Sequence, residues 1–206
     1  MEKYQTEQEK FWTGDFGNSY IERNQGQAIV ACNTALFGKI LARTVGVNSV
    51  IELGANVGLN LLAMRNLLPE ISLSAIEINA KAVEQLKKIE NIEIHPCSIL
   101  DFKPVRQYDL AIIKTVLIHI DPDFLPKVYQ TLYEASTRYI CLAEYYNPSP
   151  VEVNYRGHEG KLFKRDFAGE MLDQFADLQL LDYGFIYHRD SNFRQDDLNW
   201  FLMEKR

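Results

Sequence analysis

The stretch "VIELGANVGLN", Val50 to Asn60, decides the fold. It opens with a short apolar run, bends through two glycines and continues into a helical pattern. A buried strand that ends in a glycine turn and feeds a helix is how a nucleotide-binding α/β domain begins. The spacing is not the dinucleotide pattern G-x-G-x-x-G, because Gly54 and Gly58 flank Asn56 where another glycine is expected. Asparagine is among the few non-glycine residues that tolerate positive φ, so the turn survives.

Downstream of this stretch, apolar strands alternate with helical patterns. "SLSAIEI" predicts a strand, "NAKAVEQLKKI" a helix and "NIEIHPC" a third strand. "YDLAIIK" and "RYICLAEY" predict strands four and five, with the helix "FLPKVYQTLYEAS" between them. Such alternation predicts a parallel sheet covered on both faces, and right-handed crossovers make it doubly wound. After a helix in "KRDFAGEMLDQF", the segments "LQLLDYGFIYHRD" and "LNWFLMEKR" predict an antiparallel pair at the sheet edge. The expected architecture is a Rossmann-like, seven-stranded sheet with an antiparallel edge strand. Residues 1–45 read as a helical segment packed on a core domain of residues 46–206, and 145–165 as a long irregular loop at the carboxyl edge, where ligands bind in open α/β sheets.

Composition narrows the function. The 206 residues are 47% hydrophobic, enough for a full core. A net charge of −6 opposes general nucleic-acid binding, which needs a broad basic face. Cys32, Cys97 and Cys141 are widely spaced and sit in apolar segments, so they read as buried thiols in a reducing compartment, with no metal implied. The polar start "MEKYQTEQEK" does not read as a secretory signal, and no apolar run approaches the roughly 20 residues that span a bilayer. These features predict a cytoplasmic protein with no membrane partner; they do not set its oligomeric state.

Glu52 narrows the ligand. A carboxylate beside the loop would repel a pyrophosphate by about 4 kcal/mol at about 4 Å and an effective dielectric near 20. A ligand with cationic groups would be attracted, and S-adenosylmethionine carries two. Glu77, at the end of the second strand, is placed to accept hydrogen bonds from both hydroxyls of a ribose.

"IELGANVGLN" followed by "AIEIN" resembles the first two motifs of the class I S-adenosylmethionine-dependent methyltransferases, whose loop usually reads E/D-x-G-x-G-x-G. The resemblance implies that Glu52, Gly54, Asn56, Gly58 and Glu77 bind the cofactor. Ser98 stands where the family often carries an acid that meets adenine, so Ser98 or the backbone of Ile99 takes that contact here. Over nearly the whole chain, "EKFWTGDFGNSYIERN", "EYYNPSPVEVNYRGHEGKLFKRDF" and "DYGFIYHRDSNFRQDDLNWFLMEK" resemble the methylases associated with pseudaminic acid biosynthesis.

Methyl transfer needs alignment above all, and a base only where the acceptor must lose a proton. His119, after strand four, is the candidate base. Lys114 ends strand four and either faces the cofactor or exits to solvent; Tyr20 and Arg23 are candidates for its methionine carboxylate. Arg156, Lys161 and Arg165 form a basic patch suited to phosphate or carboxylate oxygens, and Tyr145 and Tyr146 offer rings to a sugar or base. The expected acceptor is a small anionic sugar or nucleotide-activated sugar. Two other readings stand beside this one. A non-catalytic cofactor-binding module is compatible with the motifs. A nicotinamide-dependent oxidoreductase is opposed by the glycine spacing and by the lack of any Tyr-x-x-x-Lys pair.

Overall fold

Strand β1 (Ser49–Leu53) is buried along Val50–Leu53, and its side chains alternate between two cores. Ile51 and Leu53 belong to one core and Val50 to the other, so the strand is covered on both faces. The computed structural model describes residues 4–206, and residues 1–3 of the expected helical segment lie outside the described residues. Helices α1 (Glu7–Thr13), α2 (Asp15–Arg23) and α3 (Gln27–Leu41) precede β1. The core continues with α4 (Leu59–Leu67), β2 (Ser72–Ile76), α5 (Ala80–Leu86), β3 (Ile92–His95), β4 (Tyr108–Lys114), α6 (Leu125–Ala135) and β5 (Ser136–Glu144). It ends with α7 (Phe167–Gln174), β8 (Leu178–Ile186) and β9 (Leu198–Lys205).

Seven strands form one sheet in the order β3-β2-β1-β4-β5-β9-β8. The strands β1 to β5 pair in parallel, whereas β9 is antiparallel to both β5 and β8. The antiparallel pair therefore closes one edge, as the two strand-like segments "LQLLDYGFIYHRD" and "LNWFLMEKR" on either side of a polar turn predict. Helices α6 and α7 cover one face with Val128, Leu132 and Met171. Helices α3 and α4 cover the other with Phe37, Ile40, Leu61 and Met64. The chain leaves β1 toward β2 on one side and returns to β4 on the other. The carboxyl ends of β1 and β4 thus flank the topological switch point, where a crevice opens.

Residues 145–165 are more ordered than expected. Two short strands, β6 (Val151–Glu152) and β7 (Phe163–Lys164), pair antiparallel within them. A tight turn between Tyr155 and His158 carries Arg156 and Gly157 at positive φ. The following helix starts later than its sequence pattern, because Asp166 caps it by accepting from the Gly169 N–H at 2.9 Å.

The turn after β1 holds three residues at positive φ: Gly54 (75°), Asn56 (48°) and Gly58 (80°). A Cβ on Gly58 would lie 2.6 Å from Ile89 Cδ1 and 2.8 Å from Leu86 Cδ2. The backbone conformation favours glycine here, and an added side chain must also displace the ends of Ile89 and Leu86. Gly58→Val is expected to lower unfolding free energy by about 3 kcal/mol, from strain plus overpacking. Asn56→Gly should stay within about 0.5 kcal/mol, because relief at positive φ offsets the greater freedom of the unfolded chain. Urea denaturation of both variants checks this, and similar losses would contradict the packing role of Gly58.

Candidate active site

The turn from β1 is tied to the end of β2 by its backbone. Gly54 N–H and Ala55 N–H both donate to the Ile76 carbonyl, at 2.9 and 3.0 Å. Asn56 N–H donates to Glu77 Oε2 at 2.7 Å, and Asn79 N–H donates to Glu77 Oε1 at 2.7 Å. One buried carboxylate therefore joins the turn to the start of α5. Burial raises the Glu77 pKa, and the backbone donors oppose that shift. Ala55–Val57, Ile76–Asn79 and Cys97–Leu100 line one continuous cavity above the ends of these strands. Ser98 is part of this wall, with its Oγ accepting from Leu100 N–H at 3.0 Å.

At the other end of the cavity, Lys114 Nζ donates to Asn33 Oδ1 of α3 at 3.3 Å. Both residues line the cavity, as does Asn60. Glu52 does not: it is buried behind Asn60, whose Nδ2 donates to Glu52 Oε1 at 2.5 Å. Glu52 Oε2 and Asn60 Oδ1 find no partner among the described residues. Burial pushes the Glu52 carboxyl up to about 8, against the Asn60 hydrogen bond and the Lys114 charge. Glu52 thus does not face the cavity, and the direct repulsion expected of a carboxylate beside the loop does not apply.

His119 lies on a single 3₁₀ turn, Leu117–His119, after β4. The turn is held by Glu144, whose Oε1 accepts from Val116 N–H at 2.9 Å and Leu117 N–H at 3.0 Å. Thr115, just before it, has φ of 56°, an outlier for a β-branched residue. Strain of this kind collects at functional sites. His119 Nδ1 lies 2.6 Å from the Lys161 carbonyl. A carbonyl only accepts, so Nδ1 carries the proton and Nε2 presents a lone pair. Burial lowers the imidazole pKa to about 4, so the ring is neutral near pH 7. The Trp12 and Tyr155 rings lie 4.7 and 4.9 Å away.

Helices α1 and α2 cover the cavity with Gln8, Glu9, Trp12 and Tyr20. Burial pushes the Tyr20 hydroxyl up to about 12. Arg23 is exposed, lies over the Phe16 ring and does not line the cavity. None of Tyr145, Tyr146, Arg156, Lys161 and Arg165 lines it either. Tyr145 donates to Asp196 at 2.6 Å, Arg165 pairs with Glu170 at 2.7 Å, and Arg156 and Lys161 lie over the rings of Tyr155 and Phe11. Tyr146 is exposed beside Phe201. The sequence reading missed Gln8, Trp12, Asn33, Asn60, Ile78 and Asn79 as lining residues. Asn60, Ile78 and Asn79 fall within or at the end of the quoted motif stretches, and Asn33 showed as a polar break in the apolar helix "AIVACNTALFGKILA". Among the described residues no group of three or more His, Cys, Asp or Glu side chains is placed to hold a metal ion, and no helix is long and apolar enough to cross a membrane.

No protein-family model matches the sequence, and no curated protein matches it. Solved structures do match. The 1,6-didemethyltoxoflavin-N1-methyltransferase of Burkholderia thailandensis, solved with its named acceptor and S-adenosylhomocysteine, has a TM-score of 0.71 at 12% identity, over 100% of this chain and 93% of that one. A S-adenosylmethionine-dependent methyltransferase of Leishmania major has a TM-score of 0.70 at 14% identity, over 97% and 87%. The magnesium protoporphyrin IX methyltransferase of Synechocystis, with S-adenosylhomocysteine, has 0.66 at 13%, over 96% and 97%. The fold is that of the class I methyltransferases. At such identities the likeness is one of architecture, and the cavity lies at the switch point, where open α/β sheets bind ligands.

The Glu52 carboxyl gives a test of the buried end of the cavity. Its folded pKa of about 8 lies above its ordinary 4.5, so its contribution to stability is present at low pH and lost as pH rises. Glu52→Gln keeps the acceptor for Asn60 and removes the ionisation. Its stability relative to wild type should therefore grow from pH 5 to pH 8, measured by urea denaturation at each pH. A difference that stays flat, or shrinks with rising pH, would show that Glu52 remains ionised through the range.

Proposed function

We propose that the protein is an S-adenosylmethionine-dependent methyltransferase. The observation that carries this reading is one cavity at the switch point that joins the positive-φ turn, Glu77 and Ser98–Leu100. These residues fit the cofactor. The carboxylate of Glu77 has lone pairs left for a ribose after its two backbone bonds, and Ile78 and Ile99 offer apolar faces to a purine. S-adenosylmethionine supplies an electrophilic methyl group when bound. The chain's own residues bind, orient and cover. The segment 1–45 is proposed as the cover of a single catalytic unit, with Gln8 Nε2 donating to the Gly160 carbonyl at 3.0 Å to join it to residues 145–165.

The proposed acceptor is a small anionic sugar, a nonulosonic acid or nucleotide-activated sugar of surface-glycan biosynthesis. The resemblance to the methylases associated with pseudaminic acid biosynthesis supports it. So does the position of Lys161, whose backbone touches His119, with Arg156 on the same turn-bearing segment. Neither cation has an ion-pair partner among the described residues, whereas Arg165 is held by Glu170. Arg156 and Lys161 are thus the better candidates for an acceptor's anion. His119, neutral and with Nε2 free of protein partners among the described residues, is proposed as the base for an acceptor hydroxyl.

Calorimetric titration with S-adenosylmethionine and with NADH separates this reading from an oxidoreductase. Radiolabelled methyl transfer to a panel of sugar nucleotides separates it from a non-catalytic binding module. Glu77→Ala is expected to weaken S-adenosylhomocysteine binding by about 2 kcal/mol, from lost hydrogen bonds to a charged acceptor. Unchanged affinity would move the ribose site elsewhere.

His119→Asn should lower the methyl-transfer rate by about 10²-fold or more while leaving cofactor affinity in place. With a His119 pKa of about 4, the acidic fall of kcat/KM in the wild type should come near pH 4, well below the ordinary 6.5. A rate that survives the substitution removes His119 from the chemistry.

A further inference from the structure

We infer that the uncovered aromatic face of β8 is a contact surface on which a second copy of this chain packs about a two-fold axis. The inference is independent of the methyltransferase reading, and none of the residues that carry it lines the cavity.

Strand β8 is the last strand of the sheet and, among the described residues, pairs only with β9. Its two faces are covered unequally. On the α3–α4 face, Leu181 and Ile186 pack against the core. Trp200 fills the same face over Gly184, where an added Cβ would lie 2.6 Å from the indole nitrogen. On the α6–α7 face the cover gives out along the strand. Leu178 is buried, with its N–H donated to the Phe175 carbonyl at the end of α7. Beyond it, Leu180 is 43% exposed, Tyr183 66%, Phe185 57% and Tyr187 48%.

These four residues form one row. Leu180 is in register with Met203 and Tyr183 with Phe201, and both partners belong to the α6–α7 core. The Tyr183 and Phe201 rings stack with centroids 6.4 Å apart and planes 20° apart. Phe185, two places on, shares that face, and the Tyr187 ring continues the row 6.2 Å away. Tyr146, also exposed, brings a further ring within 6.1 Å of Phe201.

Area and charge point to a second copy. The exposed parts of the four β8 side chains and Tyr146 come to about 400–500 Å². A standard interface takes roughly 800 Å² from each partner, and about 65% of a homodimer interface is apolar. The row therefore supplies most of the apolar surface that one half of a stable dimer needs. It carries no charge, so it offers nothing to a nucleic acid or an acidic peptide. Copies of a chain with net charge −6 repel one another, and least where neutral surfaces meet. A row of rings that faces its own reversed copy gains ring-on-ring contacts and leaves no buried ion unpaired.

The contact runs through this face rather than the strand edge. A bulge interrupts the ladder between Leu180 and Asp182. Asp182 Oδ1 accepts from the Tyr183 N–H at 2.9 Å, and Arg43 Nε holds Oδ2 of the same carboxylate at 2.9 Å. A bulge and a charged side chain are the means by which edge strands resist pairing with another strand.

Sedimentation equilibrium of the full chain at neutral pH tests the assignment. Wild type should dimerise with a Kd of about 100 µM or tighter. Phe185→Lys should raise that Kd at least about tenfold, by placing a charge in the apolar contact. Tyr183→Thr, which removes a ring and keeps a strand-favouring residue, should weaken the dimer in the same direction and decides the matter if the lysine variant misfolds by circular dichroism. Val105→Lys, at an exposed valine in the loop before β4, should leave the Kd unchanged. High salt should preserve or strengthen the dimer, because it screens the repulsion between copies. A wild type that stays monomeric at about 100 µM overturns the second-copy assignment. So does a dimer that folded β8 variants leave intact, that Val105→Lys weakens as much as they do, or that high salt dissociates.

Discussion

The backbone turn between β1 and α4 is tied to β2 by three N–H donors, and the crevice is built around that tie. Gly54 and Ala55 share the Ile76 carbonyl, and Asn56 takes an oxygen of Glu77. The turn needs positive φ at three of five positions, which few sequences supply without strain. Once it is formed, α4 starts at Leu59 and α5 starts under the same carboxylate through Asn79. Two helix starts and a strand end are thereby set by one loop, and the crevice walls follow from their positions.

Burial on both faces is the second constraint. A strand that is covered twice has no solvent side to receive a polar residue. Glu52 nonetheless is buried in the core on the α3–α4 face at the end of β1, and Lys114, half-buried, lines the cavity on the same face at the end of β4. Withdrawing a charge from water costs several kcal/mol when it is complete and the charge is neither paired nor neutralised. The molecule meets this by protonating Glu52, whose pKa rises to about 8, and by giving Lys114 an amide partner. Glu144, at the end of β5 and pushed up to about 7, follows the same pattern while it holds the His119 turn. Polar groups therefore concentrate at the carboxyl edge of a sheet that is otherwise apolar.

The cover is built separately. Trp12 packs edge-on to Phe16 and Tyr20, and Gly17 allows the close approach of α1 to α2, since a Cβ there would lie 1.9 Å from the Trp12 carbonyl oxygen. Asn79 Nδ2 donates to that same oxygen at 2.9 Å, which ties the cover to the start of α5. From the other side, the 145–165 segment brings the Lys161 carbonyl to His119 and sets its tautomer. The base candidate is thus positioned by the Lys161 backbone carbonyl, by the Glu144 carboxylate that holds its turn, and by the Trp12 and Tyr155 rings beside it.

Much of this was legible in the amino-acid sequence because it is local. Apolar alternation set the strands and their order of use, and glycine and asparagine in "VIELGANVGLN" marked the turn. Glu77 was visible from its place after a strand. The lining by Asn33, Asn60, Trp12 and Gln8 was not legible, nor was the withdrawal of Glu52 and Arg23 from the cavity. Lys114 meets Asn33 across 81 positions of chain, and His119 meets Lys161 across 42. Local pattern determines which backbone forms and which face is apolar. Which polar side chains share a cavity depends on the packing of helices onto the sheet, and hence on residues far apart in sequence.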